Sequence, residues 1–278
     1  MASTVLLAMP ELTLGEFACE RGDRLWDEVN DIGGSPHVVF PRTRVLIEQD
    51  GAHPVLVTPN DVVYYRSHQR YRRGLRDARG DRSLWLEVAP ELFERAPAGP
   101  ARPSGARTYL LAVGVANHLA REPEPDQLLA EEAALRLLDD AVDTTARTDP
   151  ARRARTRAAH ADLAEAAKEL LTERMTQRLS LRELAAALFV SPFHLARVFR
   201  AQTGFSLAGY VHGLRLRAAV DRLATEPDAD LSRLAVDLGY CSPSHFSDRF
   251  RSAFGHPPSS LRGTELRTIV EAVRAAAS

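Results

Sequence analysis

This 278-residue chain is short of cysteine, of long apolar runs, of clustered histidine and of net charge, and each shortage removes a class of function. Only Cys19 and Cys241 are present, far apart and without metal-ligand spacing, so neither a disulfide framework nor a zinc site is indicated. No apolar stretch reaches the length of a membrane span. The opening Met1–Pro10 segment lacks a basic start, and Pro10 interrupts its apolar run, which argues against a signal peptide. The expectation is a cytoplasmic protein with no membrane partner. His37, His53 and His68 are dispersed, with no H-x-H pair for a metal-dependent enzyme, so no metal, cofactor or catalytic residue is expected. A formal net charge of −1 excludes a uniformly basic nucleic-acid binder and requires any DNA-contacting surface to arise by polarisation of charge.

What the chain does carry is a helix-turn-helix pattern written twice in its last hundred or so residues, about fifty positions apart. In the first copy Leu181, Leu184 and Ala185 open a short helix, Phe189-Val190-Ser191-Pro192 turns, and a second helix runs from Phe193 to Arg200 before Gly204. In the second copy Leu231, Leu234, Ala235 and Leu238 take the places of Leu181, Leu184, Ala185 and Leu188. His245, Phe246, Phe250, Arg251 and Gly255 match His194, Leu195, Phe199, Arg200 and Gly204 at an offset one larger, which places the extra residue in the second turn.

Apolar residues three and four apart fix the first helix of each copy against its domain, so the second helix projects. Leu195, Val198 and Phe199 face inward, leaving Pro192, Phe193, Ala196, Arg197 and Arg200 outward. An arginine there can pair with both guanine O6 and N7 in the major groove. In the second copy Phe246 and Phe250 face inward, while Pro243, Ser244, Ser247, Asp248 and Arg251 face outward. Between the copies Ser206 to Thr225 reads as one spacer helix with a buried stripe of Leu207, Tyr210, Val211, Leu214, Ala218 and Leu223. From Arg178 to Arg262 eleven arginines stand against seven carboxylates, a modest positive excess. Arg215 has two readings, an ion pair with Asp237 or another acid inside the domain and a direct DNA contact.

From about Leu179 to Arg262 these residues resemble the AraC/XylS transcription regulators. The resemblance covers the doubled motif, the spacer sequence Arg215-Leu216-Arg217-Ala218-Ala219, the run from Leu234-Ala235 to Gly239-Tyr240, and the close from Phe250-Arg251 through Gly255-His256-Pro257-Pro258 to Leu261-Arg262. It implies two recognition helices that enter successive major-groove faces about one helical turn apart. It also implies transcription activation, with RNA polymerase as a partner. Carried over by position, the base-reading surface falls on Phe193, Ala196, Arg197 and Arg200, and on Ser244, Ser247 and Asp248, with Arg251 beside them. Asp248 departs from the family, many of whose members carry a basic residue there.

The N-terminal half reads differently. His37–Phe40, Arg44–Glu48, Val55–Val57, Val62–Tyr65 and Leu84–Val88 are short β-branched or alternating runs separated by turn formers, which suggests a small barrel or jelly roll. This order is similar to the cupin-like sensor domain of many AraC/XylS members. Tyr64, Tyr65, Arg66, Arg70, Tyr71, Arg72 and Arg73 either line an effector pocket or form a strand with a solvated basic loop. A linker rich in Pro, Ala and Gly runs from Pro90 to Gly105, followed by a helix over Arg107–Arg121 and another behind Asp126 as N-cap. In the latter, Leu128, Leu135 and Val142 with Leu138 form a seam that pairs with a second subunit or packs on its own sensor domain. Arg152, Arg153, Arg155 and Arg157 precede the Leu163, Ala166, Ala167, Leu170 face of a third helix, either as a solvated face or within reach of backbone phosphates.

The fold class expected is α+β: a cupin-like barrel or jelly-roll sensor at 1–105, a helical linker and dimerisation region at 106–158, and an all-α DNA-binding domain with two helix-turn-helix motifs at 159–278. The function expected is a sequence-specific, effector-controlled activator that binds double-stranded DNA and pairs as a homodimer. Two alternatives stand: control by a protein partner through the N-terminal half, and a cupin-type metal enzyme with a DNA-binding tail.

Overall fold

Alternation of apolar and polar residues in the N-terminal half builds strands, because side chains two apart share one face of a sheet. The computed structural model describes residues 2–50, 52–97, 99–121, 125–142, 154–177, 180–226 and 228–261. Among them one antiparallel sheet holds β1 (Ala2–Ala8), β2 (Leu12–Cys19), β9 (Asp81–Val88), β4 (His37–Pro41), β7 (Asp61–Tyr65) and β10 (Ala101–Pro103), in that order. A second antiparallel sheet runs β3 (Asn30–Asp31), β8 (Arg70–Leu75), β5 (Val45–Gln49), β6 (Val55–Val57).

The five predicted strands are present, but the two sheets share no hydrogen-bonded strand among the described residues, so a closed barrel is not formed. The two sheets contribute to one apolar cluster, with Val45, Ile47, Val57 and Tyr71 from the smaller and Val63 and Tyr65 from the larger. The basic part of the stretch, for which the sequence allows a solvated loop beside a strand, is itself strand β8, which pairs with β5 from Gln49↔Tyr71 through Val45↔Leu75. Its alternation was hidden because arginines fill both faces. The Pro-rich linker likewise yields a short helix α1 (Pro90–Phe93) and then β10, whose Ala101, Arg102 and Pro103 lie opposite Val63, Val62 and Asp61. Pro103 has no N–H to give a ladder and is tolerated because β10 is the sheet edge.

On the far side of the larger sheet lie α2 (Ala106–Arg121) and α3 (Gln127–Val142). Leu129 N–H donates to Asp126 Oδ1 at 3.1 Å, the expected start of α3. The expected α3 seam is divided: Leu138 and Val142 are buried in the core, whereas Leu128 and Leu135 are exposed. Periodicity does not separate them, since 128, 135 and 142 lie a heptad apart on one face; what differs is cover along the helix, whose end at Val142 is held where the Tyr64 hydroxyl donates to Ala141 O.

The C-terminal part holds α4 (Ala154–Glu173), α5 (Leu181–Ala187), α6 (Pro192–Thr203), α7 (Leu207–Thr225), α8 (Leu231–Asp237) and α9 (Pro243–Phe254). One apolar core runs without a break from the larger sheet through α2 and α3 to α7, α8 and α9. A second joins α4 to α5, α6 and the front of α7. Of the stripe expected on the spacer helix α7, Tyr210, Val211, Leu214 and Leu223 are buried and Leu207 and Ala218 half-buried, while Arg215, Leu216, Arg217, Ala219 and Val220 are enclosed as well. Polar contacts fasten it to the N-terminal part. Asn60 Nδ2 donates to Tyr210 O at 3.1 Å, the Thr58 and Tyr210 hydroxyls lie 2.8 Å apart, and Arg217 Nη2 donates to Ser104 O at 2.6 Å.

Candidate nucleic-acid interface

Each motif is assembled by the same local signals. Ser180 starts α5 with a capping box, its Oγ accepting from Glu183 N–H at 3.2 Å while Glu183 Oε2 accepts from Ser180 N–H at 3.1 Å. Ser191 caps α6, Pro192 occupies its first turn, and Gly204 ends it in the left-handed region at φ 76°. The axes of α5 and α6 are bent by 87°. In the second motif Asp230 caps α8 by accepting from Ser232 N–H at 2.8 Å, Ser242 caps α9 ahead of Pro243, and Gly255 ends it at φ 83°. The caps Ser191 and Ser242 reproduce the one-residue difference in offset, so the insertion does sit in the second turn.

Leu195, Val198 and Phe199 are buried under α6, and Phe246, Phe250 and Phe254 under α9, as the periodicity requires. The three phenylalanines stack in sequence with centroids 5.6 and 4.5 Å apart, and truncating a buried one to Ala would cost about 3–5 kcal/mol. On the opposite face Phe193, Arg197 and Arg200 are exposed and Ala196 is half-buried; Ser244, Asp248 and Arg251 are exposed and Ser247 is half-buried. Both sets follow the spacing i, i+3, i+4, i+7, so each forms a single stripe. With the offset fixed by the caps, Asp248 stands where the first motif has Arg197, and Arg251 where it has Arg200. The first stripe carries two arginines and the second a self-cancelling pair.

Two arginines counted toward the positive excess, Arg215 and Arg217, are not available to phosphates. Among the described residues Arg215 pairs with neither Asp237 nor another acid. Its Nε donates to Met175 O at 2.5 Å and its Nη2 to Gln177 O at 3.0 Å, and the guanidinium lies 5.6 Å from the Tyr240 ring centroid. It therefore closes the carbonyl end beyond α4 and braces the second motif. Arg217 is 2% exposed and rests on backbone carbonyls, and its burial lowers the guanidinium pKa to about 10. The single lysine, Lys168, is buried against Glu165 at 3.1 Å, so every exposed side-chain ammonium or guanidinium group is an arginine. Arg152, Arg153, Arg178 and Arg262 lie outside the described residues, as do the side chains of Arg155 and Arg157.

Sequence reasoning passed over Phe189 as a surface residue; it is 95% exposed and takes a left-handed φ of 55°. Its signal was its match to Gly239 at the first offset. The aromatic and basic stretch is sorted by strand alternation. Tyr64 turns to the helices, its hydroxyl donating to Ala141 O at 2.7 Å, whereas Tyr65, Tyr71 and Arg73 face the space between the sheets and Arg66, Arg70 and Arg72 are exposed. Among the described residues no group of three or more His, Cys, Asp or Glu is placed to hold a metal ion, and no single helix is long and apolar enough to cross a membrane.

Comparison with known proteins adds four findings. A family model described as a helix-turn-helix domain matches residues 184–264. The HTH-type transcriptional regulator GlxA of Rhizobium meliloti (strain 1021) is 36% identical over 94 residues, 34% of this chain and only 28% of that protein's length. The regulatory protein SoxS of Salmonella typhimurium (strain LT2) is 32% identical over 103 residues, 37% of this chain and 95% of that protein. Among solved structures, the C-terminal domain of AraT, a response regulator from Geobacillus stearothermophilus, is 25% identical over 36% of this chain and 84% of its own, with a TM-score of 0.35.

Proposed function

The chain belongs to the AraC/XylS family of DNA-binding transcription regulators, and from that premise we propose that it activates transcription from a specific operator when an effector occupies its N-terminal unit. The observation that carries this reading is the pair of capped helices α6 and α9, each presenting one i, i+3, i+4, i+7 stripe and both braced on the buried helix α7. Phe193, Ala196, Arg197 and Arg200 meet base edges from the first motif, and Ser244, Ser247, Asp248 and Arg251 from the second. Two arginines against a cancelled pair make the first motif the stronger reader.

Residues 159–278 form the DNA-binding unit. SoxS, matched over 95% of its length by 103 residues, supports a unit of that size standing alone. Residues 1–105 form a cupin-like sensor, and 106–158 connect the two. The shared core from the sheet to α7 gives the sensor a direct mechanical route to the motifs. RNA polymerase contact, homodimer formation and action in the cytoplasm accompany this reading through the family.

Selection of preferred sites from random duplexes tests it. Arg197→Ala is expected to cost about 1–3 kcal/mol and relax preference at one position. A uniform loss over all sequences would make Arg197 a phosphate clamp, and absence of any selected site in the wild type would overturn the reading.

A further inference from the structure

The two sheets enclose a cavity of about 510 Å³, within the range of about 300–1,000 Å³ typical of small-molecule sites. Four aromatic rings, Phe17, Tyr65, Tyr71 and Trp85, line it together with Val39 and Ile47, and polar Asn30 and Ser83 share the wall. Trp85 sits opposite Gly15 across the β2–β9 ladder, where a Cβ would come within 2.2 Å of the indole ring, so glycine is required for that wall.

Buried in this wall is one ion pair. Arg73, in the middle of β8 with a side chain only 4% exposed, donates from Nη1 to Asp81 Oδ2 at 3.0 Å and from Nη2 to the Tyr71 hydroxyl at 2.5 Å. Its guanidinium lies 4.5 Å from the Phe17 ring centroid. Arg73 Nε is buried and has no hydrogen-bond partner among the described residues. A buried donor without an acceptor is an unmet demand, and an oxygen brought in by a ligand would meet it.

The surrounding charges decide what kind of ligand carries that oxygen. An anion would have to pass the exposed carboxylates of Glu28 and Asp31 and then lie beside Asp81. A cation would have to approach Arg73 where water is excluded and repulsion is strong. His37 adds no charge: its Nδ1 donates to Ser35 O at 3.0 Å, and burial lowers its pKa, so the ring stays neutral. Arg73 and Asp81 already cancel one another, so an uncharged molecule alone enters without disturbing the balance.

We propose that the space between the sheets binds an uncharged aromatic molecule bearing a carbonyl-type oxygen, which accepts from Arg73 Nε while its ring packs against Trp85 and Tyr65. This assigns a ligand class to the effector of the sensor reading above and rests on that reading for its regulatory meaning.

The experiment is calorimetric titration of the full chain with 2-acetylnaphthalene, its charged counterparts 2-naphthoate and 2-naphthylmethylammonium, and 2-ethylnaphthalene, which lacks the oxygen. The ketone is expected to bind at least about tenfold more tightly than either ion. Arg73→Lys keeps a cation beside Asp81 but removes the Nε donor, so it lowers ketone affinity about tenfold and leaves ethylnaphthalene unchanged. Val39→Phe, which leaves the ion pair intact, fills the cavity and weakens both neutral compounds. Tighter binding of either ion, equal losses for ketone and ethylnaphthalene in Arg73→Lys, or no binding by any compound overturns the proposal. Operator selection is measured separately: ketone binding that leaves DNA affinity unchanged counts against the sensor reading and leaves the site standing.

Discussion

Phe189 and Gly239 hold the same left-handed backbone position in the two motifs, at φ 55° and φ 78°. In each case the chain closes in one way: the N–H of this residue reaches the carbonyl three back, Ala186 or Val236, and the next N–H reaches Ala185 or Ala235. Glycine takes this conformation freely, whereas a residue with a Cβ loses about 1–2 kcal/mol. Phe189→Gly should therefore raise stability by about 0.5–1 kcal/mol, the relief being partly offset by a freer unfolded chain. At Gly239 an added Cβ would sit 2.2 Å from Thr176 O, in the segment whose neighbouring carbonyls Arg215 holds. Gly239→Ala should cost more than about 1 kcal/mol in urea unfolding, and a neutral result would mean that the segment yields.

Asp248 occupies the place that Arg197 holds in the first motif, on an exposed face with no counter-cation on its own stripe except Arg251 one turn on. Asp248→Ala should raise affinity for all duplexes, most at low salt, because screening reaches only about 10 Å at 0.1 M. Anisotropy titrations over a salt series measure this. A loss of discrimination at one C·G pair instead would show that the carboxylate accepts from a cytosine amino group.

Asp221 on α7 gathers two donors, Arg42 Nη2 and the Tyr109 hydroxyl, each at 2.9 Å. One carboxylate thus ties the larger sheet and α2 to the spacer helix. Burial, followed by the charge of Asp221, raises the Tyr109 pKa, so the hydroxyl stays protonated as a donor. Asp221→Asn should cost about 1–3 kcal/mol and Tyr109→Phe about 1 kcal/mol. Combined, they should cost less than the sum, because they share one contact; full additivity in denaturant unfolding would show that the contact contributes nothing.

His212, on α7, packs against the rings of Tyr240 and His245 with both centroids 6.0 Å away. Burial first, then Arg249, Arg215 and His245, lower its pKa, so the folded protein binds its proton less readily than the unfolded chain. Its contribution to stability is therefore fully present above the unfolded pKa of about 6.5 and is lost as the pH falls below it. His212→Phe should flatten that part of the stability profile between pH 7 and about 5. An unchanged slope would place the effect elsewhere, with His37, whose pKa burial also lowers, as the next residue to replace.

The motifs were legible because their signals are local. Ser180, Ser191, Asp230 and Ser242 cap helices through bonds two or three residues away, and Pro192, Pro243, Gly204 and Gly255 act on their own dihedrals. Periodicity then separated Phe199 and Phe250 from Arg200 and Arg251 without knowledge of any partner. The strand β8 was less legible, since its arginines face both solvent and a buried carboxylate and so show no alternation.

Residue order along the chain was enough to determine the doubled motif, its outward stripes and the extra residue in the second turn, because each depends on neighbours within about two helical turns. Only the tertiary structure decided that Arg215 and Arg217 are internal, that β10 completes the larger sheet, and that Arg73 faces Asp81 inside an aromatic cavity. Those facts depend on segments distant in sequence meeting: Ser104 and Arg217, Met175 and Arg215, Phe17 and Arg73. An arginine reads alike on paper whether a carbonyl, a carboxylate or water awaits it, and burial against a remote element is what makes the difference.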